Sequence, residues 1–342
     1  MVRRSVRRAP TTTDVARLAG VSQTTVSFVL NGKPNVRISE ETRARVWKAV
    51  EQLAYRPNAV AQGLRRGRSQ LIGFVTDQVA TTPFAGLIIK GAQDAAWAHK
   101  RILLLVNTDN RQEMEEAAVE TMLGYQVEGI IYSSWYHRAV NPPACLRETA
   151  AILVNCYAED RSLPSVVPDE VQGGRLATEI LLRKGHRRIG FLNKDLPIPA
   201  ASGRLQGYRQ ALAAYGVPFD EELVVYMEGE EQERGYEGLR QLMALSNPPT
   251  AVFCFNDRTA MGVYAAAREL GLRIPDDLAV MGFDNQEIIA AHLRPALSTV
   301  QLPHYQMGWW AVNYLLEAER RFASLPPVQQ VLECPFIERE SV

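Results

Sequence analysis

The chain has 342 residues, too many for one compact core, so two or three domains are expected. Hydrophobic residues make up 46% and charged residues 22%, ordinary for a globular protein, and no run approaches the ~18 consecutive apolar residues of a membrane span. The net charge of zero hides a division: residues 1–69 carry 14 Lys+Arg against 4 Asp+Glu, a net of +10, while residues 70–342 carry 24 against 34, a net of −10, the pattern of a polyanion-binding head on an acidic body.

Residues 1–10, MVRRSVRRAP, read as a disordered basic tail. No apolar segment follows it, so no signal peptide and a cytoplasmic location are expected. Residues 11–57 read as three short helices. Thr11 to Thr13 offer N-caps, Val15, Ala16 and Ala19 form an apolar stripe, and Gly20 ends the first helix in a left-handed conformation. Ser22 caps the second helix, which turns Val26, Val29 and Leu30 inward and stops at Asn31 and Gly32. Ser39 opens the third, with Glu40 and Glu41 at the positive end of its dipole and Val46, Val50 and Leu53 as its core face. Residues 58–69, NAVAQGLRRGRS, form a linker with a helical middle, too short to be stable in water without a partner helix or DNA.

From residue 70 strand and helix patterns alternate. Strand runs lie at 71–77, 102–108, 129–134 and 151–156, and after Asp169 at 188–192, 224–227, 251–256 and 278–284. Each block reads as a doubly wound parallel sheet, so the body is expected to be two lobes with a cleft between them. The first lobe is assigned about 70–167 and 301–328, the second about 168–300 and 329–342. Cys145, Cys156, Cys254 and Cys334 are scattered, so neither a disulfide nor a metal site is expected. No G-x-G-x-x-G follows a first strand, and no nucleophile–base pattern or Walker loop occurs, so no cofactor and no enzymatic activity are expected. His186, in a KGHRR turn, reads as structural.

Residues 13–31, TDVARLAGVSQTTVSFVLN, resemble the head of the lactose-repressor/galactose-repressor family, as does ISEETRARVWKAVEQLAYRPNAVAQGLRRGRS after it. The D-V-A-x-x-A-G-V-S-x-x-T-V-S core, the Y-x-P-N step and the A-x-x-L hinge all fall at the family's spacing. The resemblance extends through GGRLATEILLRKGHRRIGFL, SGRLQGYRQAL, FNDRTAMGVYAAARELGLRIPDDLAVMGFDN and LSTVQLPHYQMG. It implies a small all-α helix-turn-helix head on an α/β body like a periplasmic binding protein. It also implies a repressor whose affinity for a pseudo-palindromic double-stranded operator is set by a small-molecule effector between the lobes, usually a sugar.

By that resemblance Gln23, Thr24 and Phe28 are base-reading positions and Ser22, Thr25 and Ser27 phosphate-contacting ones, with Asn58 at the start of the hinge. Gln suits adenine and Thr a thymine methyl. Phe28 departs from the Arg that many relatives carry; it either meets a thymine methyl or belongs to the head's core. Leu64 either wedges into the minor groove or packs on the body, and the hinge motif favours the wedge. In the body, Arg204, Asn256 and Asp284 are effector-contacting positions by resemblance, each expected at or beyond a strand's carboxyl end. Asp257 reads as the cap of the next helix, Phe84 as a stacking wall, and Asp109 and Asn155 as weaker polar contacts. The chain ends without the leucine-heptad helix that makes tetramers in some relatives, so a homodimer is expected, with its interface around Trp309 and Trp310 unless these are core. The alternative reading is a solute-binding protein without DNA function.

Overall fold

The computed structural model describes residues 10–31, 37–56, 69–81, 85–229, 231–321 and 327–342, with side chains omitted for 318–321. Asn58, Leu64 and Phe84 therefore lie outside the described residues. The chain separates into two compact units, Met1–Ser69 and Gln70–Val342.

The head holds α1 (Thr12–Ala19), α2 (Gln23–Leu30) and α3 (Glu40–Gln52). A capping box opens α1: Thr11 accepts from the Asp14 amide while the Asp14 carboxylate accepts from the Thr11 amide at 2.9 Å. Gly20, at φ +67°, closes it with its amide on the Ala16 and Arg17 carbonyls. Ser22 and Ser39 cap α2 and α3. Val15, Ala16, Ala19, Val26, Val29, Val46 and Ala49 make the buried cluster, flanked by Val50 and Leu53. Tyr55 ties the end of α3 to the start of α1 through a 2.9 Å hydrogen bond with Thr12.

The first sheet of the body contains β1 (Leu71–Thr76), β2 (Ile102–Asn107), β3 (Ile130–Val140), β4 (Ala151–Ala158), β5 (Ser165–Pro168) and β11 (Gln329–Leu332), in the order β11-β5-β4-β3-β1-β2. The second contains β6 (Ile189–Lys194), β7 (Val224–Met227), β8 (Ala251–Cys254), β9 (Ala279–Asp284), β10 (Ser298–Gln301) and β12 (Phe336–Ile337), in the order β12-β10-β9-β8-β6-β7. All pairs are parallel except β10 with β12. The two sheets thus repeat one strand order, and each is buried on both faces, as the long Val/Ile/Leu runs require. In β1, Ile72 and Phe74 enter one cluster and Val75 the other, following the period of two.

Two sequence expectations are corrected. Residues 329–332 were assigned to the second lobe, but they pair in parallel with β5 of the first sheet; only 336–337 reach the second. The apolar run 328–338 is therefore two strands, broken by Cys334-Pro335, and the chain passes between lobes there, after β5 and after β10. The strand expected at 129–134 runs on to Val140, with a register shift against β4 between Ser133 and Arg138. Alternation does not reveal such a bulge, because the extra residues break the period.

Helices flank each sheet in pairs: α4 (Gly86–Ala98) with α10 (His304–Arg321), α6 (Glu170–Arg183) with α7 (Pro199–Ala214), and α8 (Glu231–Met243) with α9 (Asp257–Glu269); α5 (Gln112–Gly124) covers the other face of the first sheet. Each pair meets backbone to backbone through glycine. A Cβ on Gly91 would strike the Tyr305 carbonyl, one on Gly308 the Ile88 carbonyl, one on Gly174 the Arg204 backbone, and one on Gly262 the Gln232 carbonyl. Gly308→Ala is expected to cost about 1–3 kcal/mol in urea unfolding. Gly124→Ala, where a Cβ meets nothing within 4 Å, is expected to be neutral or to stabilise by up to about 1 kcal/mol. Equal midpoints for Gly308→Ala and wild type would contradict the close helix contact.

Candidate functional site

In the head, Val26 and Val29 anchor α2, which leaves Ser22, Gln23 and Thr24 exposed and Thr25, Ser27 and Phe28 half-buried. Ser22 Oγ accepts from the Thr25 amide at 3.1 Å and shares a 2.9 Å hydrogen bond with Thr25 Oγ1. Gln23 Nε2 donates to Thr13 Oγ1, and Asn31 Nδ2 donates to the Ser27 carbonyl. Phe28 lies outside the buried cluster of the head. The face is thus polar, uncharged and sits at a helix N-terminus, where amides and the helix dipole favour anions.

In the body, a cavity is walled by Trp135, Tyr136 and His137 from the extended end of β3, Asn155 of β4, Glu170 opening α6, and Arg204 of α7. Glu231, Phe255, Asn256, Arg258, Asp284 and Leu302 help complete it. These positions end strands of the two sheets or follow their carboxyl ends, where ligands bind in open α/β folds.

Arg204 is the centre. Its guanidinium is 2% exposed, yet it donates to Glu170 Oε2 at 2.8 Å and to the Phe255 carbonyl, lies 3.7 Å from Asp284 Oδ1, and stacks 3.7 Å over the Phe283 ring. The close crossing of α6 and α7 makes the first of these contacts possible, since a Cβ on Gly203 would meet Glu170 at 2.7 Å. Burial works against the Glu170 carboxylate, but Arg204 and then His137 outweigh it and hold its pKa at about 2. At Asp284 burial prevails, reinforced by Glu231 and Glu170 against the pull of Arg204 and Gln286, and the pKa rises to about 7. Asp284 also sits at φ +98°, a strained conformation for a residue with a Cβ. A second group surrounds Glu231, which receives the Tyr136 hydroxyl at 3.3 Å and lies 3.6 Å from both Lys194 and Arg258.

Of the residues singled out in the sequence, Arg204, Asn256, Asp284 and Asn155 meet at this cavity. Asn155 acts as a brace, its Nδ2 donating to the Ser134 and Trp135 carbonyls at 3.0 and 2.9 Å. Arg204 stands in the second turn of α7, because that helix begins at Pro199. Asp109 is not brought to the cavity: it is exposed in the turn after the edge strand β2 and accepts from Asn107 at 2.8 Å. Asp257 is not the cap of α9. Asn256 is, accepting from the Thr259 amide at 2.9 Å, while the fully buried Asp257 accepts from the Gln286 amide and from Thr299 Oγ1 at 2.7 Å. Burial raises its pKa well above the ordinary value. His186 bonds Thr250 at 2.9 Å. Sequence reading missed Trp135, Tyr136, His137, Glu170, Glu231 and Arg258; the aromatic run directly after an apolar strand was the available signal for the first three.

Among the described residues no group of His, Cys, Asp and Glu is placed to hold a metal ion, and no helix is long and apolar enough to cross a membrane. The family model for bacterial regulatory proteins of the lacI family matches residues 11–58, and that for a periplasmic binding protein-like domain matches 178–342. Catabolite control protein A of Priestia megaterium is 34% identical over 305 residues, covering 88% of this chain and 90% of that protein. The HTH-type transcriptional repressor PurR of Erwinia tasmaniensis is 34% identical over 347 aligned positions, covering 96% of each. Among solved structures, a lac repressor dimer bound to operator and the anti-inducer ONPF aligns with TM-score 0.82 at 26% identity, covering 98% of this chain and 99% of that one. A transcriptional regulator CelR–cellobiose complex aligns with TM-score 0.68 at 29% identity, covering 97% and 100%. With a helix-turn-helix head, a body of two parallel-sheet lobes and these relatives along nearly its whole length, the chain belongs to the lacI family of bacterial regulatory proteins.

Proposed function

We propose that the chain is a repressor that binds a pseudo-palindromic operator as a homodimer, and that a small molecule of the sugar class, held between the lobes, sets its DNA affinity. The observation that carries this reading is the cavity itself: side chains from both lobes converge at the carboxyl ends of both sheets around one buried arginine. Donors and carboxylates stand side by side there, which suits hydroxyl groups that both donate and accept. An effector that binds one arrangement of the lobes more tightly shifts the equilibrium by that difference in affinity and no more. Support for the DNA half comes from the +10 charge of residues 1–69 and the exposed polar face at the start of α2. Gln23, Thr24 and Phe28 would meet bases, Ser22, Thr25 and Ser27 phosphates, and Asn58 and Leu64 would act in the hinge. Leu64 would serve as a minor-groove wedge. The cytoplasmic location follows from that role.

The reading is tested by gel mobility shift on the duplex upstream of the protein's own gene. The full chain is expected to bind with salt-sensitive preference over random competitor; residues 70–342 are expected to lose it. Retained specificity in the truncated chain would favour a solute-binding protein without DNA function. Gln23→Ala is expected to weaken specific binding by about 1–3 kcal/mol, and Leu64→Ala to weaken it while leaving effector affinity unchanged; calorimetry alongside DNA titration checks both.

The buried carboxyls also predict a pH dependence. Asp284 titrates near 7 in the folded chain against an ordinary 3.8, so between those values the folded state keeps a proton that the unfolded chain has released. Its contribution is complete below about pH 4 and is lost as pH rises through 7, with a slope of up to about 1.4 kcal/mol per pH unit. Glu170, held near 2, acts oppositely: its contribution is present above its ordinary pKa of 4.5 and fails only as pH falls towards 2. Urea unfolding of the full chain from pH 5 to 8 is expected to show stability declining with pH, less steeply in Asp284→Asn. An unchanged slope in that variant would contradict the assignment.

A further inference from the structure

Among the described residues, two buried polar atoms on the cavity wall have no hydrogen-bond partner: Trp135 Nε1 and His137 Nδ1. They stand two residues apart on the extended end of β3, which the register shift carries to the cavity. His137 Nδ1 lies 3.8 Å from Glu170 Oε1, beyond hydrogen-bond reach, although both side chains are almost wholly enclosed. Leaving such groups unpaired costs free energy, and the backbone beside them is hydrogen-bonded. Asn155 braces the Ser134 and Trp135 carbonyls, and the Asp77 carboxylate accepts from the Trp135 amide at 2.9 Å and from Ser134 Oγ at 2.8 Å. The backbone that presents these two side chains is therefore held in place from two directions, while the polar atoms they present are not.

The nearby charges narrow the partner further. Glu170, Glu231 and Asp284 line the cavity, and the cations facing them are already engaged: Arg204 with Glu170 and Asp284, Lys194 and Arg258 with Glu231. Among the described residues, no wall offers a cation free of a carboxylate to receive an anionic ligand. An indole N–H can only donate, so whatever meets Trp135 must present an acceptor.

Resting on the sugar-class reading above, we infer that Trp135 and His137 are specificity-determining residues of the first lobe. Trp135 Nε1 donates to a ring or hydroxyl oxygen of a neutral polyhydroxylated effector, and His137 Nδ1 pairs with one of its hydroxyls, which excludes sugar acids and sugar phosphates. The indole selects an acceptor, and the ring of a phenylalanine would not replace it.

The full-length chain is titrated calorimetrically with glucose, galactose, ribose, lactose, maltose and cellobiose, and with gluconate and glucose 6-phosphate. At least one neutral sugar is expected to bind, with both anions at least about tenfold weaker. Trp135→Phe, which keeps an aromatic ring but removes the N–H together with the pyrrole half of the indole, is expected to weaken that sugar about tenfold, as is His137→Phe, with both variants still unfolding cooperatively in urea. In ¹⁵N-labelled protein the Trp135 indole N–H resonance is expected to move when the sugar is added. Wild-type affinity in Trp135→Phe together with a stationary resonance would overturn the role of Trp135 while leaving the sugar class intact. Equal affinity for gluconate or glucose 6-phosphate would overturn the neutral preference. If no neutral sugar bound the wild-type chain, the sugar-class reading would fall and this inference with it, whatever the DNA titrations showed.

Discussion

A guanidinium that is 2% exposed can be kept in a protein interior only if its charge is met there, and the arrangement around Arg204 follows from that requirement. Glu170 meets it at 2.8 Å from the first turn of α6, and Asp284 approaches from the end of β9. That geometry in turn demands that α6 and α7 cross with their backbones in contact, which Gly174, Gly203 and Gly207 permit. Removing one partner of such a pair typically costs about 3–5 kcal/mol, because the other charge stays buried. The helix packing and the chemistry of the cleft are therefore one structural problem with one solution.

The cluster also explains why two acids in one cavity behave in opposite ways. Glu170 makes a close ion pair and stays ionised, whereas Asp284 stands farther from the same arginine, with two other carboxylates adding their repulsion. The strained φ of Asp284 belongs to the same region. On the opposite wall, the β3 extension brings Tyr136 to Glu231 and His137 towards Glu170, so the first sheet touches the second lobe through side chains as well as through the strand crossings. A ligand that fits between these walls would meet both lobes at once, as the proposed function requires.

How much of this was legible in the sequence depends on how local the governing physics is. The caps of the head, Thr11, Ser22 and Ser39 with Gly20 closing α1, are set by residues within a turn of one another and read directly. Strand runs of the body were equally plain, since burial on both faces leaves a continuous apolar signal. Asn256 and Asp284 reach the cavity from strand ends, and Arg204 joins them from the second turn of α7. What failed was non-local. The bulge that carries Trp135 to His137 into the cavity is fixed by pairing with β4, and Glu170 looks like any acidic residue at a helix start until α7 is packed against it. Asp109 matched the strand-end rule, but it is exposed and held by Asn107 within its own turn. Asn256 takes the cap expected of Asp257, because the buried Thr299 hydroxyl and the Gln286 amide claim the aspartate.

Control of DNA affinity by a molecule held at Arg204 has a thermodynamic consequence that no static arrangement can imitate: the coupling must be reciprocal. The decisive measurement is the affinity of the full chain for its effector, by calorimetry, in the absence of DNA and with operator duplex at saturation, beside the affinity for operator with and without effector. Ligand control predicts that both affinities shift by the same factor, of about 5–150-fold. An effector affinity identical with and without operator would show that the cleft and the head are not coupled.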